Sequence, residues 1–213
     1  MPNWCTNNIT ISGPTETIKQ LWDDANADGD FGLLNAMVPM PTELEGTTAP
    51  SRLDEEAQAE LIKKYGAADW YGWCVNNWGT KWDVSDEGLE FIDNEDGTAS
   101  IDGYFDSAWA PPIEAYNTFL DDMDNCSLVA SYHEPGMDFA GFYIDGDDEY
   151  CEDITAECEL PADDRSDLFN RLDEEYALVE NYEMWKEDEE EDEEEQRRDE
   201  KNGLYPDRED IAN

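Results

Sequence analysis

Residues 82–105 read WDVSDEGLEFIDNEDGTASIDGYF. Two stretches rich in aromatic and β-branched residues flank Asn94-Glu95-Asp96-Gly97, a turn-forming cluster, so the spacing predicts a hairpin of strands at about 82–92 and 98–105. Upstream, residues 5–12 alternate loosely and stop at Gly13-Pro14, which predicts a strand and a turn. A helix follows to about Ala27, with Ile18, Leu21, Trp22 and Ala25 on one face. Pro39, Pro41 and Pro50 mark a loop, and a second helix over about 54–64 closes at Gly66. Downstream, Pro111-Pro112 opens a helix at about 113–123 with Tyr116, Phe119 and Leu120 inward, and strands follow at about 127–133, 138–144 and 149–158. The order β-α-(insert)-β-β-α-β-β predicts an α+β domain over residues 1–160: a ferredoxin-like antiparallel sheet with helices on one face. The term is topological only, because no iron–sulfur cysteine spacing is present.

Residues 161–213 form a separate acidic extension and tail. Residues 163–202 read as one long helix of about 60 Å. Acids Asp163, Asp164 and Asp167 occupy its first turns, and Leu168, Leu172, Tyr176, Val179 and Tyr182 form a stripe that fades after Trp185. Gly203 and Pro206 mark its stop. Glu187 to Glu195 is a run of nine acids. Like charges at i,i+4 disfavour a helix by about 0.2–0.5 kcal/mol per pair, while Glu193–Arg197 and Glu194–Arg198, with Lys201, act the other way. Helix and disorder compete there.

Fifty-seven acids against twelve bases give a formal net charge of −45, the charge of about 22 base pairs of duplex DNA. It is spread over the chain: residues 1–160 hold 35 acids and 5 bases, residues 161–213 hold 22 and 7. Such a chain repels nucleic acid and anionic membranes and attracts basic protein surfaces or cations. Its 12% aromatic content supports a core, unlike that of a disordered acidic chain. Five cysteines without a C-x-x-C pair, no secretory signal and no apolar run near 18 residues predict free thiols in the cytoplasm and no membrane span.

No nucleotide-binding loop or nucleophile elbow occurs, and the only histidine, His133, stands without paired cysteines, so neither a zinc site nor a cofactor is expected and the chain reads as non-enzymatic. Asp24, Asn26, Asp28 and Asp30 resemble the first half of an EF-hand loop with Gly29 at its sixth position. Asn35 at the twelfth cannot supply a bidentate carboxylate, so the segment is a weak Ca²⁺ candidate or an acidic helix-to-loop turn. The densest feature is Trp70 to Asp83, with four Trp and a Tyr, read either as core filling or as a recognition patch. Lys81 is expected to pair with Asp83 or a helix C-terminus.

The opening Met1-Pro2-Asn3-Trp4-Cys5, the string Trp78-Gly79-Thr80-Lys81-Trp82-Asp83 after Asn77, and Phe105 to Pro112 with Trp109, Pro111 and Pro112 resemble the YubB-type family of phages and plasmids. Tyr132 to Gly136 with Phe139-Ala140-Gly141 is similar to the family's final hairpin, and the resemblance covers roughly residues 1–145. It implies the C-terminal ferredoxin-like domain of that family and a mobile-element setting, and it carries over no activity.

These readings converge on an acidic decoy. Its carboxylates replace phosphates in the groove of a basic, nucleic-acid-binding host protein, such as a defence nuclease, a polymerase or a nucleoid protein. The expected contact acids are Asp173, Glu174, Glu175, Glu180, Glu183 and the run Glu187, Asp188, Glu189, Glu190, Glu191, Asp192, Glu193, Glu194 and Glu195. Two alternatives stay open: a halophile-adapted accessory protein, against which Lys and Arg are equal at six each, and a partner-binding module tethered by its acidic tail. No sequence signal sets the oligomeric state.

Overall fold

Strand β1 (Trp4–Pro14) is the axis of the sheet. In the computed structural model, which describes residues 2–27, 29 and 31–201, it pairs antiparallel with β3 (Thr98–Ala108) on one side and β4 (Ser127–Glu134) on the other. β2 (Leu89–Asp93) lies beyond β3, and β5 (Phe139–Ile144) and β6 (Asp147–Glu152) lie beyond β4. The class is α+β, with a six-stranded antiparallel sheet in the order β2-β3-β1-β4-β5-β6. Helix α1 (Thr15–Ala25) follows β1 directly and α6 (Ile113–Asp122) follows β3.

Alternation along the strands explains the core, because successive side chains leave a strand on opposite faces. Ile9 and Ile11 of β1, Ile101 and Phe105 of β3, Leu128 and Ala130 of β4 and Tyr143 of β5 are buried on one face against Ile18, Leu21, Tyr116 and Phe119. Between β1 and β2 the chain adds α2 (Leu33–Met37), α3 (Thr42–Glu45), α4 (Glu55–Tyr65) and α5 (Trp70–Asn77). Of these, α5 sends Trp73 and Cys74 into the same core. This first compact unit spans Met1–Asp153, and a second begins at Ile154.

The second unit contains α7 (Ile154–Glu159), a 3-10 turn at Ala162–Asp164, α8 (Asp167–Tyr176) and α9 (Leu178–Lys201). Its buried side chains include Cys158, Phe169, Leu172 and Leu178. Ser166 caps α8 by accepting from Phe169 N–H at 3.1 Å, and Arg165 donates to the carbonyls of Cys158 and Leu160. No helix among the described residues is long and apolar enough to cross a membrane.

The long acidic helix is present as α9, but residues 163–202 are not one helix. Ala177 sits in the left-handed region at φ 49, ending α8, and Val179 N–H donates to the Asp173 carboxylate at 2.8 Å as α9 begins. At 100° per residue Leu178 would lie about 240° round a straight helix from Leu172; the break lets both be buried. The strand expected at 149–158 ends at Glu152 because Asp153 turns at φ 56, and Ile154 and Cys158 then bury at helical spacing. The strand expected at 82–92 covers only Leu89–Asp93. Residues 82–88 form a loop because Asp83 is drawn to another element. Gly203 and Pro206, the expected helix stop, lie outside the described residues.

Candidate functional site

The contact acids expected from the sequence fall on two helices. Asp173, Glu174 and Glu175 belong to α8, and Glu180, Glu183 and Glu187 to Glu195 belong to α9. The nine-acid run is helical, and both anticipated pairs form: Arg197 to Glu193 at 2.6 Å and Arg198 to Glu194 at 3.1 Å. Nearer the start of α9, Tyr182 donates to Glu159 at 2.7 Å and Lys186 lies over the Tyr182 ring. Asp173 has a local task at the α8–α9 break.

Residues 3–4, 78–83 and 108–111, far apart in sequence, meet in one place. Trp78 is buried and its indole N–H donates to Val38 O at 2.9 Å. Gly79 takes φ +85, and a Cβ there would meet Pro111 O at 3.3 Å and Ile113 N at 3.4 Å, so the close approach to the start of α6 favours glycine. Thr80 both donates to Ala108 O and accepts from Ala108 N–H, closing that end of β3. Asp83 turns inward: its carboxylate accepts from Leu34 N–H at 2.8 Å, Asn35 N–H at 2.9 Å and Val84 N–H at 2.8 Å, capping α2 from 48 and 49 residues away. Burial raises its pKa, opposed by those three N–H groups.

Asp83 is therefore unavailable to Lys81, and the expected Lys81–Asp83 pair does not form. The Lys81 ammonium instead lies 4.2 Å from the Trp82 ring centroid, 5.2 Å from Trp109 and 5.7 Å from Tyr71. Three rings around one ammonium make a cation–π cage. Trp109 reaches it from φ 72, a conformation bulky residues rarely adopt, fixed by its N–H donating to Asn3 O at 2.9 Å. The Trp-rich segment thus divides: Trp73 and Trp78 fill the core at 82° to each other, while Trp82 stays 39% exposed.

On its outer side Trp82 faces Trp4, with ring centroids 6.1 Å apart. The two border a groove of about 280 Å³, lined further by Ser85, Glu87, Tyr104 and Asp106. β1 and β3 supply one wall in register, since Trp4 pairs with Ala108, Thr6 with Asp106 and Asn8 with Tyr104. The loop 82–88 supplies the other, held by Tyr104 N–H donating to Gly88 O at 3.0 Å.

The nucleophile candidates are muted. Burial, with the Glu134 charge behind it, pushes the Cys5 thiol up to about 12, and burial pushes Cys74 up to about 12. Such thiols stay protonated at neutral pH and are poor nucleophiles. Burial lowers the pKa of His133 on β4. Among the described residues no three His, Cys, Asp or Glu side chains gather as a metal site. Of the EF-hand-like set, Asp24 accepts from Gln20, Asn26 donates to Trp22 O, and Asp28 and Asp30 lie outside the described residues.

No family model and no curated protein matches the chain. A solved structure, the protein api92 from Yersinia pseudotuberculosis (family model DUF1281), is similar at 20% identity and a TM-score of 0.29, covering 56% of this chain and 38% of that one. The likeness is too slight to bear on function.

The groove beside Trp82 was not readable from the sequence. Trp4, Tyr104 and Asp106 come together only through a β1–β3 register spanning a hundred residues. The one local signal was alternation, which sends Trp4 and Tyr104 to the face opposite Ile9 and Phe105.

Proposed function

We propose that this chain is a non-catalytic acidic protein that occupies the nucleic-acid-binding surface of a basic protein, its carboxylates standing where phosphates would. The observation that carries this reading is the nine-acid run on the continuous helix α9. A helix rises about 1.5 Å per residue, so the run presents about one carboxylate per 1.5 Å of axis. B-form DNA presents about one phosphate charge per 1.7 Å. A surface that has evolved to bind a duplex by neutralising closely spaced charge meets a similar line density here.

The strand order β2-β3-β1-β4, with α1 after β1 and α6 after β3, supports a ferredoxin-like arrangement of the first four strands. The meeting of residues 3–5, 78–83 and 108–112 around Lys81 supports the resemblance to the YubB-type family. A phage- or plasmid-borne inhibitor acting in a host cytosol is the setting that fits both.

Competition tests the mimicry. A labelled duplex bound to a nucleoid protein, a DNA nuclease or an RNA polymerase is titrated with the chain and followed by fluorescence anisotropy at about 50 and 200 mM salt. Displacement that weakens steeply with salt is expected. Failure to displace duplex from any basic partner at the lower salt removes the reading. A second reading, adaptation to a high-salt solvent, is favoured by the spread of 35 acids through residues 1–160. It requires the chain to unfold as salt is lowered.

A further inference from the structure

The groove bordered by Trp4, Trp82, Tyr104 and Asp106 belongs to the first unit and owes nothing to α9. Three observations say what it takes. First, its aromatic walls are open: Trp4 is 48% exposed, Trp82 39% and Tyr104 60%. Aromatic faces held open beside carboxylates attract cations, and the guanidinium group also stacks flat on them. The chain supplies a demonstration, because its own Lys81 ammonium already rests on Trp82.

Second, the charge complements a cation. Asp106 and Glu87 line the groove and are exposed. Thr6 Oγ1 donates to Asp106 Oδ1 at 3.0 Å, which orients the carboxylate. Its Oδ2 has no hydrogen-bond partner among the described residues. Asp83, although it lines the groove, is engaged by three backbone N–H groups and is not a free acceptor.

Third, the floor contains an unfilled backbone position. In an antiparallel ladder alternate residues turn their N–H and C=O to opposite sides. Residues 104, 106 and 108 of β3 point away from β1: Tyr104 N–H is taken by Gly88 O and Ala108 by the Thr80 hydroxyl. Between them the N–H and C=O of Asp106 have no partner among the described residues. A single peptide unit can hydrogen-bond there, while Gly88 and Thr80 on either side leave no room for a longer added strand.

We infer that this groove is a docking site for a peptide segment of a basic partner, with one arginine stacked on the exposed Trp4 ring beside Trp82, paired to Asp106 Oδ2 and flanked by Tyr104. The site deepens the proposed function, since it rests on the partner being cationic, and it gives that partner a sequence-specific anchor beyond bulk charge attraction. Lysine fits less well, because a compact ammonium cannot stack and bind a carboxylate edge together.

The test uses the full chain and a blocked pentapeptide with one central arginine, against the same peptide with citrulline, which keeps the shape and loses the charge. Amide and indole resonances are followed by heteronuclear NMR. The arginine peptide is expected to shift the indole N–H of Trp4 and Trp82 and the amide of Asp106 while leaving the core indoles of Trp73 and Trp78 in place. Citrulline should bind at least about tenfold more weakly, and so should arginine to the near-isosteric variant Asp106→Asn, each losing one charge-assisted contact.

Shifts spread evenly over the acidic surface, equal binding of the citrulline peptide, or unchanged affinity in Asp106→Asn would each overturn the inference. A variant with Glu187 to Glu195 changed to glutamine separates this site from the α9 reading. If it keeps the groove shifts but no longer displaces duplex, both proposals stand. If wild-type chain displaces duplex and the groove stays silent, only the groove fails.

Discussion

Replacing Asp83 by alanine removes the acceptor of three backbone N–H groups at once, and the cost can be worked through group by group. Leu34 N–H and Asn35 N–H are first-turn donors of α2, which have no partner inside a helix. Losing such a cap costs about 1 kcal/mol and up to about 2. Asn35 is exposed, so water can take over its N–H. Leu34 and Val84 are buried, and a buried donor left unpaired costs about 1–3 kcal/mol. Burial of the ionised carboxylate, which raises its pKa, already offsets part of the gain. The net expectation for Asp83→Ala is a loss of about 2–4 kcal/mol, a large share of the 5–15 kcal/mol that holds a typical domain together. Asp83→Asn keeps one acceptor oxygen for Leu34 and Val84 but turns an amide N–H₂ toward Asn35 N–H, so it should lose about 1 kcal/mol. Urea unfolding at fixed ionic strength, followed by tryptophan fluorescence and far-ultraviolet circular dichroism, measures both. If Asp83→Ala costs under about 0.5 kcal/mol, or if the asparagine variant is the less stable, then the capping account is wrong.

Neutralising Glu187 to Glu195 with glutamine should raise helicity at low salt, because like charges at i,i+4 oppose the helix; circular dichroism of the wild type should gain helix as salt is added, and that of the variant should not. Ala177→Gly should stabilise the second unit by about 0.5–1 kcal/mol, since a Cβ is disfavoured in the left-handed conformation that ends α8; a lowered unfolding midpoint would contradict a left-handed break at Ala177. Burial depresses the pKa of His133 below its ordinary value near 6.5. The unfolded chain therefore takes up a proton first as pH falls, so the stability contributed by the neutral imidazole is complete above about pH 6.5 and lost on acidification through the folded pKa. An NMR titration of this single histidine with a midpoint above 6.5 would refute the sign.

The sequence made the sheet legible where local rules governed it. The turn at Asn94–Gly97 forms, with Glu95 and Gly97 at positive φ, and the helices following Gly13-Pro14 and Pro111-Pro112 start where expected. Long-range demands governed the failures. Trp70–Asn77 is apolar on every side and gives no periodic signal, and the local clue was Asp69, which caps it by accepting from Gly72 N–H at 2.9 Å. Residues 82–88 have strand-like composition, yet Asp83 is claimed by α2. At Ala177 the best helix former interrupts a helix so that Leu178 can be buried. For the candidate site, the string Trp78–Asp83 stood out for its aromatics but hid a division of labour. Trp78, Gly79, Thr80 and Asp83 hold backbone together, and only Lys81 and Trp82 face outward.

That division extends to the acids as a whole. Asp54 and Asp69 cap helices, Asp93 and Asp96 shape the β2–β3 turn, and Asp145 accepts from Leu128 N–H and Ser127. Glu134, 1% exposed, folds the turn at Gly136 and Met137, and Asp148 accepts from buried Tyr132 at 2.6 Å. The oxygens of these carboxylates are committed to the fold. Neutralising them would perturb the fold as well as any partner contact. The acids of α9 differ in kind, because Glu187 to Asp192 serve no cap or turn and stand on the exposed length of a helix. A net charge of −45 therefore overstates what a basic partner can use. Discrimination among binding readings has to come from acids that the fold can spare, among them the α9 run and, beside the groove of the first unit, Glu87 and Asp106.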